Sequence, residues 1–574
     1  MSQLKSQELR AIAPELDPLR LGTGWKPEDL SKPQIIIEST FGDSHPGSVH
    51  LLDLAEEARR GVRDAGGAGA RYFTTDICDG EAQGHDGINY SLASRDMIAN
   101  MIEIHANATP FDGGVFIASC DKGMPAHLMG IGRVDIPSIV VSGGVMDAGP
   151  DLLTLEQIGK YSAMFERKEI TEEQFTYYKQ NACPSCGACS FMGTASTMQI
   201  MAEALGLMLP GSALMPATSK ELREAAYQAG KQAVQLARQG LTAHKIVTRE
   251  SFENAVIVHA AISGSTNALL HLPAIAQEFG VELDGDDFDR LHRGMHYLLN
   301  IRPTGHWPAQ YFYYAGGVPA VMEEIKRFLH LDALTVTGKT LGENLENCRK
   351  NSFYEKCGAF LEPLHLERRD IIRPFDDPLG TDGSIAVLKG SLCPDGAVIK
   401  HTAAPREMFQ KTLRARPFDC EEDAIHAILT HAIRPGDAVI IRYEGPKGSG
   451  MPEMFYTTEA ISSDPELAAS IALLTDGRFS GASKGPAVGH ISPEAAEGSP
   501  IALVEEGDLI RIDIPARRLD IVGVAGEERT PEEVEQVLQA RRQKWTPRPP
   551  KYARGVLNLF SRHAKSPMKG GNMG

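Results

Sequence analysis

Cysteine, long apolar runs and basic charge are all in short supply in this chain. Nine cysteines among 574 residues are too few for a disulfide scaffold, and the odd count predicts reduced thiols, some of them metal ligands. No apolar run approaches the length that crosses a bilayer, and the first residues lack the apolar core of a secretory signal. We therefore expect a cytoplasmic protein with no membrane partner.

Positive charge is the second deficit. Lys and Arg number 58 against 75 Asp and Glu, which gives a formal net charge of -17 and argues against a nucleic-acid partner. A hydrophobic content of 42% with 23% charged residues is ordinary for a globular protein. Because 574 residues exceed what one hydrophobic core supports, two domains are expected.

Hydrophobic periodicity divides the chain into two parts. The first alternates strands with amphipathic helices, which is typical of a parallel sheet, and the second has mostly short strands between turns. Strands are predicted at 34–37, 114–118, 137–141, 384–388, 397–400, 438–443, 501–504 and 509–514, and helices at 51–65 and 92–105. The predicted fold class is α/β: an N-terminal parallel-sheet α/β domain at residues 1–375 and a C-terminal mostly-β, barrel-like domain at residues 376–574. The end of the chain, from 569 on, is expected to be mobile or docked on a partner subunit.

Cys120-Asp121-Lys122 follows the predicted strand 114–118 and sets a soft thiolate beside a hard carboxylate. Thiolates select iron–sulfur clusters or zinc, whereas carboxylates select magnesium, calcium or manganese. The carboxyl end of a strand in an α/β sheet is also where ligands usually bind. Alone, the tripeptide is more simply a half-buried cysteine followed by a solvated ion pair, so its meaning depends on the rest of the chain.

Three further clusters carry residues of the same kinds. They are Cys78-Asp79-Gly80, the run with thiols at Cys183, Cys186 and Cys189, and the stretch 443–481 with Glu453 and Ser480. A structural zinc site would need a second thiol pair, which the chain lacks. Thiols from separate strand ends, namely Cys78, Cys120 and one of the trio, would suit an iron–sulfur cluster with one iron left open as a Lewis acid.

Carboxylates and hydroxyls near these thiols predict a second metal and a substrate. Asp79, Asp121 and Glu453 predict a Mg²⁺ site closed across the two domains. Ser480 lies in a Gly-flanked turn, where a serine is more often a turn or cap than a catalyst, although beside a divalent cation its hydroxyl can act as a base. The hydroxyls predicted to contact substrate are those of Ser265, Thr266 and Ser483, with helix capping as an equal alternative for the first two.

Together these clusters resemble the dihydroxy-acid dehydratase and aldonate dehydratase family. The resemblance spans about residues 30–550. It rests on two unbroken signatures, 120–130 and 472–483, and on the shorter motifs 315–319, 442–447 and 489–495. It implies a hydro-lyase that removes water from a 2,3-dihydroxy acid and gives a 2-keto-3-deoxy acid through an enol. A small-molecule substrate and assembly into homodimers or homotetramers are also implied.

Carried over residue by residue, the resemblance implies a role for each member of the predicted site. The matches are Cys120 and Cys189 for cluster ligands, Asp79, Asp121 and Glu453 for magnesium ligands, Lys122 for a lysine carbamylated in the family, and Ser480 for the proposed base. In the implied reaction, Ser480 removes the C2 proton as an alkoxide that the cation stabilises. The open iron of the cluster draws off the C3 hydroxyl.

Two positions depart from the family pattern. Members with a two-iron cluster carry a cysteine where this chain has Gly47, so Cys78 is predicted as the third thiolate of a four-iron cluster. A two-iron cluster, or Cys183 or Cys186 as third ligand, is the alternative. The other departure is Ser263, where the family usually has glycine, and it leaves the local substrate contacts open.

Two substrates compete within the family. Cys78-Asp79-Gly80 and the Gly-Met-Pro-Ala form of the lysine motif resemble the sugar-acid branch, so an aldonate, either a pentonate or a hexonate, is the predicted substrate. Residues 442–447 and 183–189 fit equally well the dihydroxy-acid dehydratase of branched-chain amino-acid biosynthesis, which is the alternative. A non-catalytic iron–sulfur protein is disfavoured, because electron transfer needs neither the retained carboxylates nor Ser480.

Overall fold

The computed structural model describes residues 4–462, 464–480 and 485–574. Within these ranges the strands form a four-stranded sheet, a nine-stranded sheet and a two-stranded pair. The predicted fold class is confirmed, because a parallel α/β region comes first and a large, mixed, curled sheet follows it. None of the helices in these ranges is long and apolar enough to cross a membrane.

The four-stranded sheet is parallel throughout, in the order β2-β1-β3-β4. Its strands are β1 (Gln34–Ser39), β2 (Ala68–Phe73), β3 (Gly113–Ala118) and β4 (Ser138–Ser142). β1, β3 and β4 are buried along their whole length, as expected for a parallel sheet covered on both faces. The chain leaves the carboxyl ends of β2 and β3 toward Cys78 and Cys120, so these two cysteines lie at the same edge of the sheet.

Helices pack around this sheet and continue past it. Those of the first region are α1 (Lys5–Ile12), α2 (Leu16–Gly22), α3 (Leu51–Asp64), α4 (Asp79–Ala82), α5 (Tyr90–Ala108), α6 (Gly123–Val134), α7 (Ile158–Glu166), α8 (Glu172–Asn181), α9 (Thr194–Ala204), α10 (Lys220–Gln239), α11 (Ala243–Ile246), α12 (Arg249–Ile262), α13 (Ala268–Glu278), α14 (Gly285–Arg293), α15 (Gln310–Tyr314), α16 (Gly317–Glu324), α17 (Leu341–Lys350), α18 (Phe353–Gly358) and α19 (Arg368–Ile371).

The second region is built on the nine-stranded sheet, whose order is β15-β14-β13-β7-β8-β10-β12-β6-β5. The strands of this region are β5 (Ala386–Leu388), β6 (Gly396–Ile399), β7 (Gln410–Phe418), β8 (Asp437–Ile441), β9 (Glu453–Met454), β10 (Ala472–Thr475), β11 (Arg478–Phe479), β12 (Ala487–Ser492), β13 (Leu509–Asp513), β14 (Arg518–Val524) and β15 (Glu527–Glu528). An isolated bridge between Lys389 and Arg518 joins the end of β5 to the start of β14. The sheet therefore curls back on itself around a core that includes Leu388, Ile440 and Ile512.

Two local expectations differ from the structure. Residues 501–504 are predicted to form a strand, but residues 501–503 lie in a helix, because Pro500 occupies the first helical turn, where its missing N–H costs no hydrogen bond. For the end of the chain the expectation is a mobile or partner-docked segment, whereas residues 570–572 are buried within their own chain. The helices of the second region are α20 (Glu421–Leu429), α21 (Tyr456–Ser462), α22 (Pro465–Ser470), α23 (Pro500–Leu503), α24 (Pro531–Arg542) and α25 (Gly555–His563).

Candidate active site

Three carboxylates from separate elements converge at one point. Asp79 begins α4, Asp121 follows β3, and Glu453 lies in β9 of the second region. One oxygen of each lies within 4.8 Å of the others. Oδ1 of Asp79 is buried and has no hydrogen-bond partner within the described part of the chain. Such a set of hard oxygen donors, one of them orphaned, fits a Mg²⁺ ion that keeps room for water or substrate.

Lys122 supplies positive charge to these carboxylates. Its side chain is fully buried, and its Nζ lies 2.7 Å from Oδ2 of Asp79. The same nitrogen lies 3.7 Å from Oδ2 of Asp121 and 3.6 Å from Oε1 of Glu453. Because a buried ammonium is costly unless it is paired, its place among three carboxylates stabilises it.

Arg478 is a second buried cation at the site, and no sequence pattern predicted a role for it. In β11 it pairs in register with Glu453 of β9, and its guanidinium forms an ion pair with that carboxylate. Its Nε donates to the carbonyl of Met451 over 2.8 Å. The available signal was that Arg478 is the one basic residue inside the signature 472–483.

Two neutral side chains also fix the carboxylates. Ser91, in α5, donates to Oδ2 of Asp79 over 2.7 Å and accepts from Nη2 of Arg478 over 3.0 Å. Asn267, just before α13, donates to Oε1 of Glu453 over 2.6 Å. Nothing in the sequence marked Ser91, because its partners lie on other elements and are brought to it only by folding.

Asp121 and Asp79 are both buried, but their pKa values shift in opposite directions. Burial raises the pKa of Asp121 to about 7, with Lys122 opposing the shift and the charge of Glu453 adding to it. Burial also opposes ionisation of Asp79, but the charges of Lys122 and Arg478 outweigh it and hold the pKa of Asp79 below its usual range. The pKa values of neighbouring carboxylates move apart in this way because their negative charges repel one another.

The three cysteines predicted as cluster ligands line one cavity together with the three carboxylates. Its volume is about 300 Å³, and Cys78, Cys120 and Cys189 all face it. Burial raises the pKa of Cys78 to about 12 and the pKa of Cys120 and Cys189 well above the usual thiol value. Three soft donors that are costly to ionise alone fit an iron–sulfur cluster, whose positive irons would offset that cost.

Cys183 and Cys186, the alternative cluster ligands, lie apart from the wall of this cavity. Cys183 is exposed and Cys186 is half-buried. Neither is among the described residues that line the cavity.

The thiol of Cys120 packs directly against Gly47. A Cβ added at Gly47 would lie 2.2 Å from the Sγ of Cys120 and 3.2 Å from Nδ1 of His45. The position where two-iron members carry a cysteine is therefore in direct contact with Cys120. Any side chain there would displace that thiol.

Not all of the hydroxyls predicted to act in catalysis or to contact substrate line a cavity. Ser480 follows β11 and lines both the main cavity and a second one of about 30 Å³, which Thr266 also lines. Ser265 lines neither: it is fully buried, and its hydroxyl lies 3.2 Å from Oγ1 of Thr194. Ser483 lies outside the described residues.

Ser263, the other departure from the family pattern, ends α12 with a φ of 52°. Glycine adopts this left-handed conformation without strain, which accounts for the glycine that the family usually carries there. The Nζ of Lys400 donates to the carbonyl of Ser263 over 2.8 Å and holds the turn in place.

Much of the remaining cavity wall is apolar. Its aliphatic and aromatic members are Leu155, Ile158, Phe175, Phe191, Phe455 and Tyr456. A wall of this kind favours an aliphatic group over a chain of hydroxyls, which would lose hydrogen bonds to water on entering.

Comparison with known proteins gives matches over nearly the whole chain. The family model described as "Dihydroxy-acid/6-phosphogluconate dehydratase N-terminal" matches residues 32–344, and its C-terminal counterpart matches residues 370–571. Dihydroxy-acid dehydratase 1 of Methanosarcina acetivorans is 43% identical over 558 residues, which is 96% of each chain. The dihydroxy-acid dehydratase of Methanothrix thermoacetophila is 44% identical over 550 residues, 96% of this chain and 95% of the relative. That of Caldanaerobacter subterraneus subsp. tengcongensis is 42% identical over 557 residues, 95% of each.

These relatives correct one prediction: the sugar-acid substrate is wrong. Relatives at 42–44% identity carry the name of the enzyme that was the alternative. The motifs that favoured a sugar acid, Cys78-Asp79-Gly80 and residues 123–126, adjoin the thiols and carboxylates in the sequence. The apolar residues of the cavity wall are scattered along the chain, so no local motif reveals them.

Proposed function

Because this chain belongs to the dihydroxy-acid/6-phosphogluconate dehydratase family, we propose that it dehydrates 2,3-dihydroxy-3-methyl acids, the step that dihydroxy-acid dehydratase performs in branched-chain amino-acid biosynthesis. Membership of the family makes the chain a hydro-lyase. The observation that carries the proposed substrate is the 42–44% identity, over nearly the whole chain, to relatives of that name. The apolar cavity wall agrees with it, since a branched aliphatic tail would bury its methyl groups there.

Asp79, Asp121 and Glu453 are the proposed ligands of Mg²⁺. Their convergence and the orphaned Oδ1 of Asp79 support this assignment. Mg²⁺ bound there would supply a Lewis acid for the substrate carboxylate and C2 hydroxyl, which acidifies the C2 proton. Lys122 points its Nζ at the same carboxylates, so carbamylation would replace a competing positive charge with a further oxygen ligand.

Cys78, Cys120 and Cys189 are the proposed ligands of the iron–sulfur cluster, with four irons favoured over two. Their place on one cavity wall and the glycine at position 47 support this set over one that uses Cys183 or Cys186. The cluster would supply an open iron as a Lewis acid for the departing C3 hydroxyl.

Ser480 is the proposed base for the C2 proton. It lines the same cavity as the carboxylates and the thiols, so one small substrate can reach all three. A serine hydroxyl is far too weakly acidic to ionise alone, and its alkoxide depends on the nearby cation. Thr266 and Ser483 stay proposed substrate contacts, and a homodimer or homotetramer stays the proposed assembly.

An anaerobic assay for 2-keto acid tests the proposal, with 2,3-dihydroxyisovalerate, pentonates and hexonates as substrates. We expect kcat/KM for the branched acid to exceed that for any aldonate by about tenfold or more, as hydrophobic pockets discriminate. The matched control is Ser480→Ala, which should keep the cluster absorbance and lose keto-acid formation. Preference for an aldonate would overturn the proposed substrate, and unchanged turnover by Ser480→Ala would remove this residue from the reaction.

A further inference from the structure

Residues 569–573, here called the tail segment, lie between two helices of the first region. Residues 570–572 are buried, although the segment follows a stretch rich in Pro, Lys and Arg. The flanking helices are α5 (Tyr90–Ala108) and α13 (Ala268–Glu278). The proposed catalytic roles make no use of this segment.

The tail segment is hydrogen-bonded to α5 through two charged side chains. The backbone N–H of Met573 donates to Oδ2 of Asp96 over 2.7 Å. Nη2 of Arg95 donates to the carbonyl of Gly570 over 3.0 Å. Both side chains are buried and form an ion pair of 2.9 Å with each other. Because each of these hydrogen bonds has a charged partner and is buried, it is stronger than a hydrogen bond between neutral groups.

The same segment fits closely against α13. Nε2 of Gln277 donates to the carbonyl of Lys569 over 2.7 Å. A Cβ added at Gly570 would lie 2.7 Å from the backbone nitrogen of Ala274, and one added at Gly571 would lie 3.1 Å from Cδ1 of Leu270. At position 570 glycine is required for this approach, because a larger residue would push the tail segment away from the backbone of α13.

Arg95 connects all three elements. While Nη2 binds the tail segment, Nη1 lies 3.1 Å from Nδ1 of His271 on α13. A guanidinium has only donors, so that imidazole nitrogen accepts. The guanidinium therefore joins α5, α13 and the tail segment at one point.

Both helices carry a group that holds a proposed Mg²⁺ ligand one turn from this junction. On α5, Ser91 lies four residues before Arg95 and donates to Asp79. At the start of α13, Asn267 lies four residues before His271 and donates to Glu453. Residues four apart lie on the same face of a helix. The spacing of the two helices at the junction therefore sets the spacing of the groups that hold the two carboxylates.

We propose that the tail segment is a positioning element of the metal site: it fixes α5 against α13 and so holds Asp79 and Glu453 at the spacing that a divalent cation needs. The proposal rests on the assignment of these carboxylates to Mg²⁺ under the proposed function. Groups that orient the direct ligands of a metal typically change its affinity by about 10- to 100-fold when they are altered.

The test is Mg²⁺ titration by calorimetry of chelator-treated, cluster-loaded protein under anaerobic conditions. The test variants are Gly570→Ala and a deletion of residues 570–574. The matched control is Gly555→Ala: Gly555 also has a positive φ, of 81° against 95° at Gly570, but an added Cβ there meets nothing within 4 Å. The control thus introduces the same backbone strain without the clash. Cluster absorbance per chain and the thermal unfolding midpoint are measured on the same samples.

We expect both test variants to raise the Kd for Mg²⁺ about tenfold or more, and the control to stay within about twofold of the unaltered protein. Cluster absorbance should be unchanged, because the proposed effect of the tail segment passes through Ser91 and Asn267 to the carboxylates and not to the thiols. An unchanged Kd in Gly570→Ala would overturn the proposal, whether or not the deletion variant folds. Equal weakening by Gly555→Ala would also overturn it, because strain alone would then account for the loss. If the unaltered protein binds no Mg²⁺, the proposed function itself fails, which is a separate result.

Discussion

Gly47 matters through the side chain that it lacks, since the thiol of Cys120 occupies the space where a Cβ would lie. From the sequence alone, Gly47 is recognisable only as a missing ligand. Its steric role needed the fold, because Gly47 and Cys120 are far apart along the chain. The same holds for Arg478 and Ser91, which fix Glu453 and Asp79 through contacts that no local pattern predicts.

We predict that Gly47→Ala reduces the iron and acid-labile sulfide bound per chain by about half or more. The added Cβ would lie 2.2 Å from the Sγ of Cys120, so the thiol must shift away from its place on the cavity wall. The matched control is Gly80→Ala, beside the proposed ligand Cys78, where the added Cβ meets that sulfur at an ordinary 3.5 Å. Equal iron content in the two variants would contradict the prediction.

At the scale of elements, sequence patterns predicted strands most accurately where the strands are completely buried. The apolar runs of β1, β3 and β4 were predicted to within one or two residues, because both faces of each strand are covered. β7 was missed, since its charged, partly exposed residues carry no apolar run. The carboxyl ends of parallel strands explain why Cys78 and Cys120 could be placed together in advance.

Helices α12 and α14 meet through a buried histidine pair. Nε2 of His259 lies 2.9 Å from the carbonyl of Ser265, and its Nδ1 lies 3.1 Å from Nε2 of His292. A carbonyl only accepts, so Nε2 of His259 carries a proton and its Nδ1 accepts from His292. Nδ1 of His292 accepts in turn from the backbone N–H groups of Ser384 and Ile385. Both rings are therefore neutral, and an extra proton would leave two N–H groups facing each other.

We predict that the free energy of unfolding falls as the pH is lowered from 6.5 toward 4. Burial lowers the pKa of His259 from 6.5 to about 4, so the unfolded chain binds more protons in this window and stability is complete only above it. The loss from this ring amounts to roughly 3 kcal/mol at the acid end. Denaturant unfolding across the pH range measures it. His259→Gln is the control, because its amide can replace both hydrogen bonds without titrating, and an equally steep pH dependence in it would contradict the prediction.

At the scale of the whole molecule, the site is an interface between the two sheet regions. Arg478 of the second region reaches Ser91 of the first across 387 residues of sequence. Glu453 likewise lies 3.6 Å from Lys122 of the other region. The sequence predicted that Glu453 would close the site across the two domains, but the cation that accompanies it was not assigned.

We predict that Arg478→Gln lowers the free energy of unfolding by about 3–5 kcal/mol, because it leaves Glu453 with less compensation inside the protein. The control is Arg518→Gln, which breaks a half-exposed ion pair with Asp520 at 2.6 Å and should cost less than about 1 kcal/mol. Equilibrium denaturation of both variants provides the comparison. Equal losses would mean that the interface contact adds nothing beyond a surface ion pair.

The order of the ligands along the chain has a consequence for biosynthesis. The three thiols proposed to bind the cluster fall between residues 78 and 189, whereas Glu453 and the tail segment follow far downstream. On a ribosome, the thiols can therefore gather before the second sheet exists to cover them, since domains fold as they emerge. Iron inserted at that stage would stand open to oxygen, so maturation favours delivery of the cluster to the finished chain.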